Sequence, residues 1–143
     1  WGTDQEVIWE AHIKTGAAIT NTIIWAGLKL TNTEVSSMDA DQLFFRYEND
    51  VNGGEWQAIS SIANVDDAFD TNLVAAINTE MHFKIIIDAA RNAQMWINDV
   101  LQKTTGVLTD AIDLIPYIGV ANDGTAAAKH ILAYGQAISR KFS

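Results

Sequence analysis

Apolar and polar residues alternate along much of the chain. In residues 6–16, EVIWEAHIKTG, Val7, Trp9, Ala11 and Ile13 are apolar, while Glu10, His12 and Lys14 fall between them. A repeat of two sends side chains alternately to the two faces of a strand, so the segment predicts a half-buried β-strand. NTIIWAGLKLT is apolar on both faces from Ile23 to Leu28, which predicts a central strand covered on each side. DQLFFRYEN and EWQAISSIA are shorter runs divided by Asn52-Gly53-Gly54. Those glycines accept positive φ at little cost, and a hairpin is expected.

The stretch FKIIIDAARNAQMWINDVLQ, residues 83–102, reads the same way. Phe83, Ile85 and Ile87 share one face and His82, Lys84 and Asp88 the other, with Ile86 the exception. After a polar break at 89–92, Met95 and Ile97 lie opposite Gln94, Trp96 and Asn98. Two antiparallel strands are expected. Asn92 is the natural positive-φ residue of the first turn, and Asn98-Asp99 forms the second because Asp tolerates left-handed geometry better than most residues. LIPYIGVAN predicts a strand near a sheet edge, where Pro116 loses no ladder hydrogen bond.

Polar breaks at Thr15-Gly16, Thr31-Asn32-Thr33, 48–54, 66–72, Asn78-Thr79, Asn98-Asp99 and Asn122-Asp123-Gly124 recur about every ten to fifteen residues, which suits strands joined by turns. Two segments are richer in helix formers. TNLVAAINTEM is one; GTAAAKHILAYGQAISRKF is the other, with Ile131, Tyr134 and Ile138 at helical spacing. Seven to ten short strands with one helical turn still predict an all-β fold, an antiparallel two-sheet β-sandwich.

Composition narrows the function. The 143 residues fit one domain, 1–143, with one core. Nine basic against eighteen acidic residues give a net charge of −9, which repels a phosphate backbone, so no nucleic-acid partner is expected. The longest apolar run, Ile23 to Leu28, is too short to span a bilayer, and no membrane anchor is expected. With no cysteine, disulfides, thiolate metal sites and cysteine nucleophiles are excluded. A start at Trp1, with no leader pattern behind it, reads as a processed or trimmed piece of a longer product.

Catalytic chemistry is sparse. His12, His82 and His130 stand far apart, without the spacing of a zinc site, and read as solvent-facing or hydrogen-bonded residues. The nearest pair of glutamates suited to one strand is Glu6 and Glu10, with Glu6 at the strand's edge, and no nucleophile elbow, P-loop or dinucleotide fingerprint is present. The expectation is a non-enzyme with no catalytic residues and no cofactor. Asp39 to Asp41, Asp66-Asp67 with Asp70, and Asn122-Asp123 supply oxygen ligands suited to calcium, but turn residues are the plainer reading. Trp9 and Trp25 sit on apolar faces and are assigned to the core. Trp56 and Trp96 are the candidates for subunit contact or for stacking on a sugar ring.

Read in order, WEAHIKT, IIWAGLKLT, LFFRYEND with GGEWQAIS, FKIIIDAARNAQMWINDVLQKTT and LIPYIGVANDGTAAAKHILAYGQAISRKF resemble the concanavalin A-like, or laminin-G-like, jelly roll found in tailed-phage virion proteins. The resemblance runs from about Trp9 to Phe142, and implies that the C-terminal segment returns to the sheet as a strand. The family's hairpin ends in Asn-Gly where this chain has Asn98-Asp99. The resemblance also implies a non-catalytic virion structural protein on the outer surface of the particle. In that role the chain is a capsid decoration (cement) protein or a tail-appendage domain, bound to coat or tail subunits as a homo-oligomer, a trimer by expectation. The alternative is a carbohydrate-binding, lectin-like module for a cell-surface glycan. A remote glycoside hydrolase or lyase is a third reading.

Overall fold

The alternating runs form strands, and the strands form two layers. The computed structural model describes residues 1–32, 38–124 and 128–141. Its strands are β1 (Val7–Thr15), β2 (Thr22–Lys29), β3 (Gln42–Glu48), β4 (Glu55–Ile62), β5 (Val65–Val74), β6 (Glu80–Ile87), β7 (Asn92–Ile97), β8 (Val100–Val107), β9 (Ile115–Asn122) and β10 (Ile131–Arg140). One sheet has the order β10-β1-β6-β7-β8 and the other β5-β4-β3-β2-β9. Every paired strand is antiparallel. The all-β two-sheet sandwich expected from the sequence is the fold observed.

The register follows the hydrophobic alternation. Val7, Trp9, Ala11 and Ile13 of β1 are buried and face Ile87, Ile85, Phe83 and Met81 of β6 in register. Ile24, Ala26 and Leu28 of β2 and Leu43, Phe45 and Tyr47 of β3 close the core from the other sheet. A one-residue slip would turn each of these sets to the opposite face, so the pattern fixes the pairing. Aromatic rings bridge the layers at the centre: Phe45 and Phe83 have centroids 4.8 Å apart, as do Trp56 and Phe83. Such pairs add about 0.5–1.5 kcal/mol each beyond the area they bury.

Trp56 is fully buried in this core, which corrects its assignment as a candidate interaction or glycan-stacking residue. EWQAISSIA mixes polar and apolar residues on both faces, with Ile59 outward and Ser60 inward, so alternation alone did not orient its tryptophan.

Four further expectations are corrected or sharpened. The acidic break at 66–72 is no turn: it lies within β5, a ten-residue edge strand. Asp66 accepts from Ser61 Oγ at 2.5 Å and Asp70 from Gln57 Nε2 at 2.8 Å. Asp67 takes the ammonium of Lys103, a lysine of β8 buried between the sheets, at 3.0 Å. Of the helix-rich segments, Thr71–Val74 completes β5, and β10 pairs with β1 as the resemblance implied. The one helical turn among the described residues is a 3-10 turn at Asn52–Gly54, in the β3–β4 hairpin. In the β6–β7 turn Arg91, not Asn92, takes positive φ (63°). Arg91 is held there from both sides, its guanidinium 2.5 Å from Asp110 and its carbonyl accepting from Leu108 N.

Two sequence readings of backbone geometry hold. Asn98 and Asp99 both have positive φ (48° and 63°), as a type I′ hairpin requires. Pro116 lies in β9, an edge strand. No helix among the described residues is long and apolar enough to cross a membrane.

Candidate functional site

Each sheet has an outer face, and the two differ. On the β10-β1-β6-β7-β8 sheet, His12 and His82 are direct cross-strand partners, stacked with centroids 4.3 Å apart and planes 6° from parallel. Asp99 in the β7–β8 turn lies 3.7 Å from His82 Nδ1 and 3.8 Å from Lys84 Nζ. Lys84 extends over the ring of Trp96, 5.5 Å from its centroid. Trp96 therefore faces outward, as the alternation predicted, but it is half-buried and one side of its ring is taken by that lysine.

The outer face of the β5-β4-β3-β2-β9 sheet carries the more organised constellation. In-register residues form rows across the strands. The first row runs Asp70, Gln57, Arg46, Trp25, Gly119. Arg46 Nη2 donates to Gln57 Oε1 at 2.8 Å, and Gln57 Nε2 donates onward to Asp70 at 2.8 Å. Arg46 Nη1 also lies 3.7 Å from Glu48. The next row is apolar: Ala68, Ile59, Phe44, Gly27, Tyr117. The third is polar again, with Gln42 donating to Ser61 at 3.0 Å and Ser61 to Asp66, continued by Lys29 on β2.

Aromatic side chains alternate with glycines along this face. Trp25 has Gly119 beside it on β9, and Tyr117 has Gly27 beside it on β2. Gly27 is required by close approach as well, since a Cβ there would stand 2.2 Å from the Leu43 carbonyl oxygen. Lys29 Nζ sits over both rings, 5.7 Å from Trp25 and 5.1 Å from Tyr117. Trp25 packs edge-on against Phe44, centroids 5.9 Å apart. Trp25, Phe44 and Ile59 are buried as a small second cluster, so Trp25 is a buried residue as expected but lies outside the main core. Of the three aromatic rings on this face Tyr117 is the one that is half-buried instead of buried, and, like Trp96, it has a lysine over one side of its ring.

The strands of this sheet carry two cations, Lys29 and Arg46, and five carboxylates, Glu48, Glu55, Asp66, Asp67 and Asp70. Asp66 and Asp70 are four residues apart on one strand. At a rise of about 3.3 Å per residue that is roughly 13 Å, beyond the roughly 5–9.5 Å of paired glycosidase acids. Glu6 engages Lys141 at 3.0 Å, while Glu10 lies on the other sheet. Among the described residues no group of three or more His, Asp or Glu is placed to hold a metal ion. Of the residues suited to calcium, Asp39 accepts from Thr31 N at 2.9 Å and Asp41 from Ala63 N at 3.1 Å.

Hollows elsewhere are plain. One of about 500 Å³ is lined by Trp1, Ile138, Ser139 and Arg140. Another, about 540 Å³, is lined by Ile8 and Ile86 together with Glu6, Asp88, Ser139, Arg140 and Lys141, of which Lys141 is paired with Glu6.

Sequence reasoning missed Arg46 and Gln57. Their signal was present: each is a polar residue set inside an apolar run, Phe45-Arg46-Tyr47 and Trp56-Gln57-Ala58. Without the register, nothing said that the two were opposite one another.

Two antiparallel five-stranded sheets in this arrangement form a jelly-roll β-sandwich. No protein-family model matches the chain, and no curated protein matches it in sequence. Solved structures do match in fold. The carbohydrate binding module CBM66 from Bacillus subtilis is similar at a TM-score of 0.60 with 7% identity, over 94% of this chain and 74% of that one. A homodimeric agglutinin from chicken liver is similar at 0.57 with 12% identity, over 94% and 92%. An alginate lyase from Pseudomonas aeruginosa is similar at 0.68 with 10% identity, over 99% and 68%.

Proposed function

We propose that this protein is a non-catalytic, lectin-like module that binds a neutral glycan on the outer face of the β5-β4-β3-β2-β9 sheet. The observation that carries the reading is the row Asp70–Gln57–Arg46 running into the Trp25–Lys29–Tyr117 cluster. A sugar offers hydroxyls that both donate and accept, and an apolar ring face. The row supplies a guanidinium donor and carboxylate acceptors already held in place, which limits the ordering cost on binding. Tyr117 supplies the surface for the ring face. Two cations against five carboxylates on the strands of this sheet give no excess positive charge for an acidic sugar. The fold is shared with a carbohydrate binding module and an agglutinin, which supports the same reading.

A virion structural role, on the outer surface of a particle and attached to capsid or tail subunits, draws no support from the similar structures. It requires that purified protein rebind stripped particles whether or not sugar is present. A lyase shares the fold; turnover of any member of a polysaccharide panel would establish catalysis and overturn the non-catalytic reading. The direct test is a glycan array followed by calorimetry. Saturable binding competed by free sugar, lost in Arg46→Ala and Tyr117→Ala and kept in Trp96→Ala, supports the proposal. No binding anywhere on the array, or loss in Trp96→Ala alone, overturns it.

A further inference from the structure

His12 and His82 stand far apart in sequence, and the pairing of β1 with β6 makes them direct partners on the outer face of the β10-β1-β6-β7-β8 sheet. The rows around them are complementary: Ile8 faces Ile86, Glu10 faces Lys84 and Lys14 faces Glu80. The histidine row breaks that pattern by setting like against like. Two imidazoles repel each other when both carry the extra proton, and when both are neutral each presents a lone pair. What complements such a row is a cation that both can ligate. His82 is prepared for that role. Its backbone is held by Asn98, whose side-chain oxygen accepts from His82 N at 2.9 Å and whose backbone N donates to the His82 carbonyl at 2.8 Å. Asp99 lies 3.7 Å from His82 Nδ1, which favours the tautomer protonated there, as a carboxylate behind a ligating histidine does. Nε2, the nitrogen left with the lone pair, has no hydrogen-bond partner.

We propose that His12 and His82 together bind a late divalent transition-metal ion, such as zinc, across β1 and β6, with water completing its shell. Imidazole nitrogen suits zinc, copper and nickel, whereas magnesium and calcium prefer carboxylate, carbonyl and water oxygens. The rings now stack with centroids 4.3 Å apart and planes 6° from parallel, so their lone pairs run side by side and do not meet. Two nitrogens on one tetrahedral zinc stand roughly 3.3 Å apart, with both rings aimed at the ion. His12 must therefore turn, and it has room. It is exposed, and its partner on β10 is Gly135, where even a Cβ would have no neighbour within 4 Å. The local charge suits a cation as well. Glu10, Glu80 and Asp99 surround the pair against Lys14 and Lys84, while β7 and the stretch of β10 from Ile131 to Ser139 add no charge. Two imidazoles with no third protein ligand in place make a reversible site, not a structural one. The site lies on the sheet opposite the proposed glycan face, and it stands whether or not that face binds sugar.

Calorimetric titration of the full chain, carrying no affinity tag, with zinc chloride should show saturable binding of a single ion per chain. His12→Ala and His82→Ala should each weaken it by about tenfold or more, and His130→Ala, outside the pair, should leave it unchanged. Zinc at about a hundredfold over its dissociation constant should raise the Tm of the parent chain by about 5–10 °C and leave that of His12→Ala where it was. Because His12 is exposed, its variant should keep the parent circular dichroism spectrum, which separates lost binding from lost fold. Copper(II) in place of zinc should show paramagnetic-resonance coupling to two imidazole nitrogens in the parent and to one in either variant. Absence of saturable binding, binding indifferent to His12→Ala or to His82→Ala, or an equal loss in His130→Ala overturns the proposal.

Discussion

Arg46 and Gln57 face each other across β3 and β4, with guanidinium Nη2 2.8 Å from the amide oxygen. The same amide donates to Asp70 on the next strand. One glutamine thus holds both a cation and a carboxylate in place on the sheet's surface, and neither end of the row is as well placed without it.

Gln57→Ala is accordingly expected to act mainly on binding. The pairs at its two ends are partly solvated, so the stability loss should be about 1 kcal/mol or less. Affinity for the array's best glycan should fall about tenfold or more, the equivalent of about 1.4 kcal/mol. Calorimetry and urea denaturation on one preparation separate the two effects. A large stability loss with unchanged affinity would make the row structural only.

Gly27→Ala tests the close approach beneath the aromatic cluster. The added methyl would meet the Leu43 carbonyl oxygen at 2.2 Å and Phe44 Cα at 2.5 Å, both backbone atoms that cannot turn aside. A cost of about 1–3 kcal/mol is expected in the urea midpoint, with weakened glycan binding as Phe44 shifts. Gly106→Ala is the control. A Cβ there has no neighbour within 4 Å, and removing glycine flexibility from the unfolded chain should leave stability unchanged or slightly raised.

The two tryptophans singled out from the sequence separate in the same way. Trp56→Ala empties a site between Tyr47 and Phe83 in the core and should cost about 3–5 kcal/mol. Trp96→Ala removes a half-buried ring beneath Lys84 and should cost clearly less, with glycan binding intact. Thermal melts rank them; a Trp96→Ala variant as unstable as Trp56→Ala would contradict this placement.

What could be read in the sequence follows from how one-sided each strand is. β1 and β6 bury one face and solvate the other, and their alternation gave both strand and orientation. β2 is buried on both faces and was recognisable as central for that reason. β5 was lost because its residues are turn formers, and it is a strand only because β4 offers a partner edge. The C-terminal strand was ambiguous on its own residues, since most of β10 is exposed and no burial pattern marks it. Arg91 takes its left-handed conformation from Asp110 and Leu108, contacts that composition cannot reveal. The candidate site was the least legible part. It is made of register, and register places Arg46, Gln57 and Asp70 in one row only after three strands have paired.

Tyr47 supplies a pH dependence with a definite sign. Its hydroxyl donates to the Ile19 carbonyl at 3.1 Å. Burial, and after it the negative charge of Asp50, push its phenol above the usual value of about 10. The folded state therefore holds this proton more tightly than the unfolded chain does. Below the unfolded value both states are protonated and the full stability is present; as pH rises through the folded value, that stability is lost. Urea midpoints should thus fall from about pH 10 upward. Tyr47→Phe removes the hydroxyl, costing about 1 kcal/mol at neutral pH through the lost hydrogen bond, and should flatten the alkaline fall. If the variant and the parent chain lose stability in parallel above that pH, another group is responsible and the assignment to Tyr47 fails.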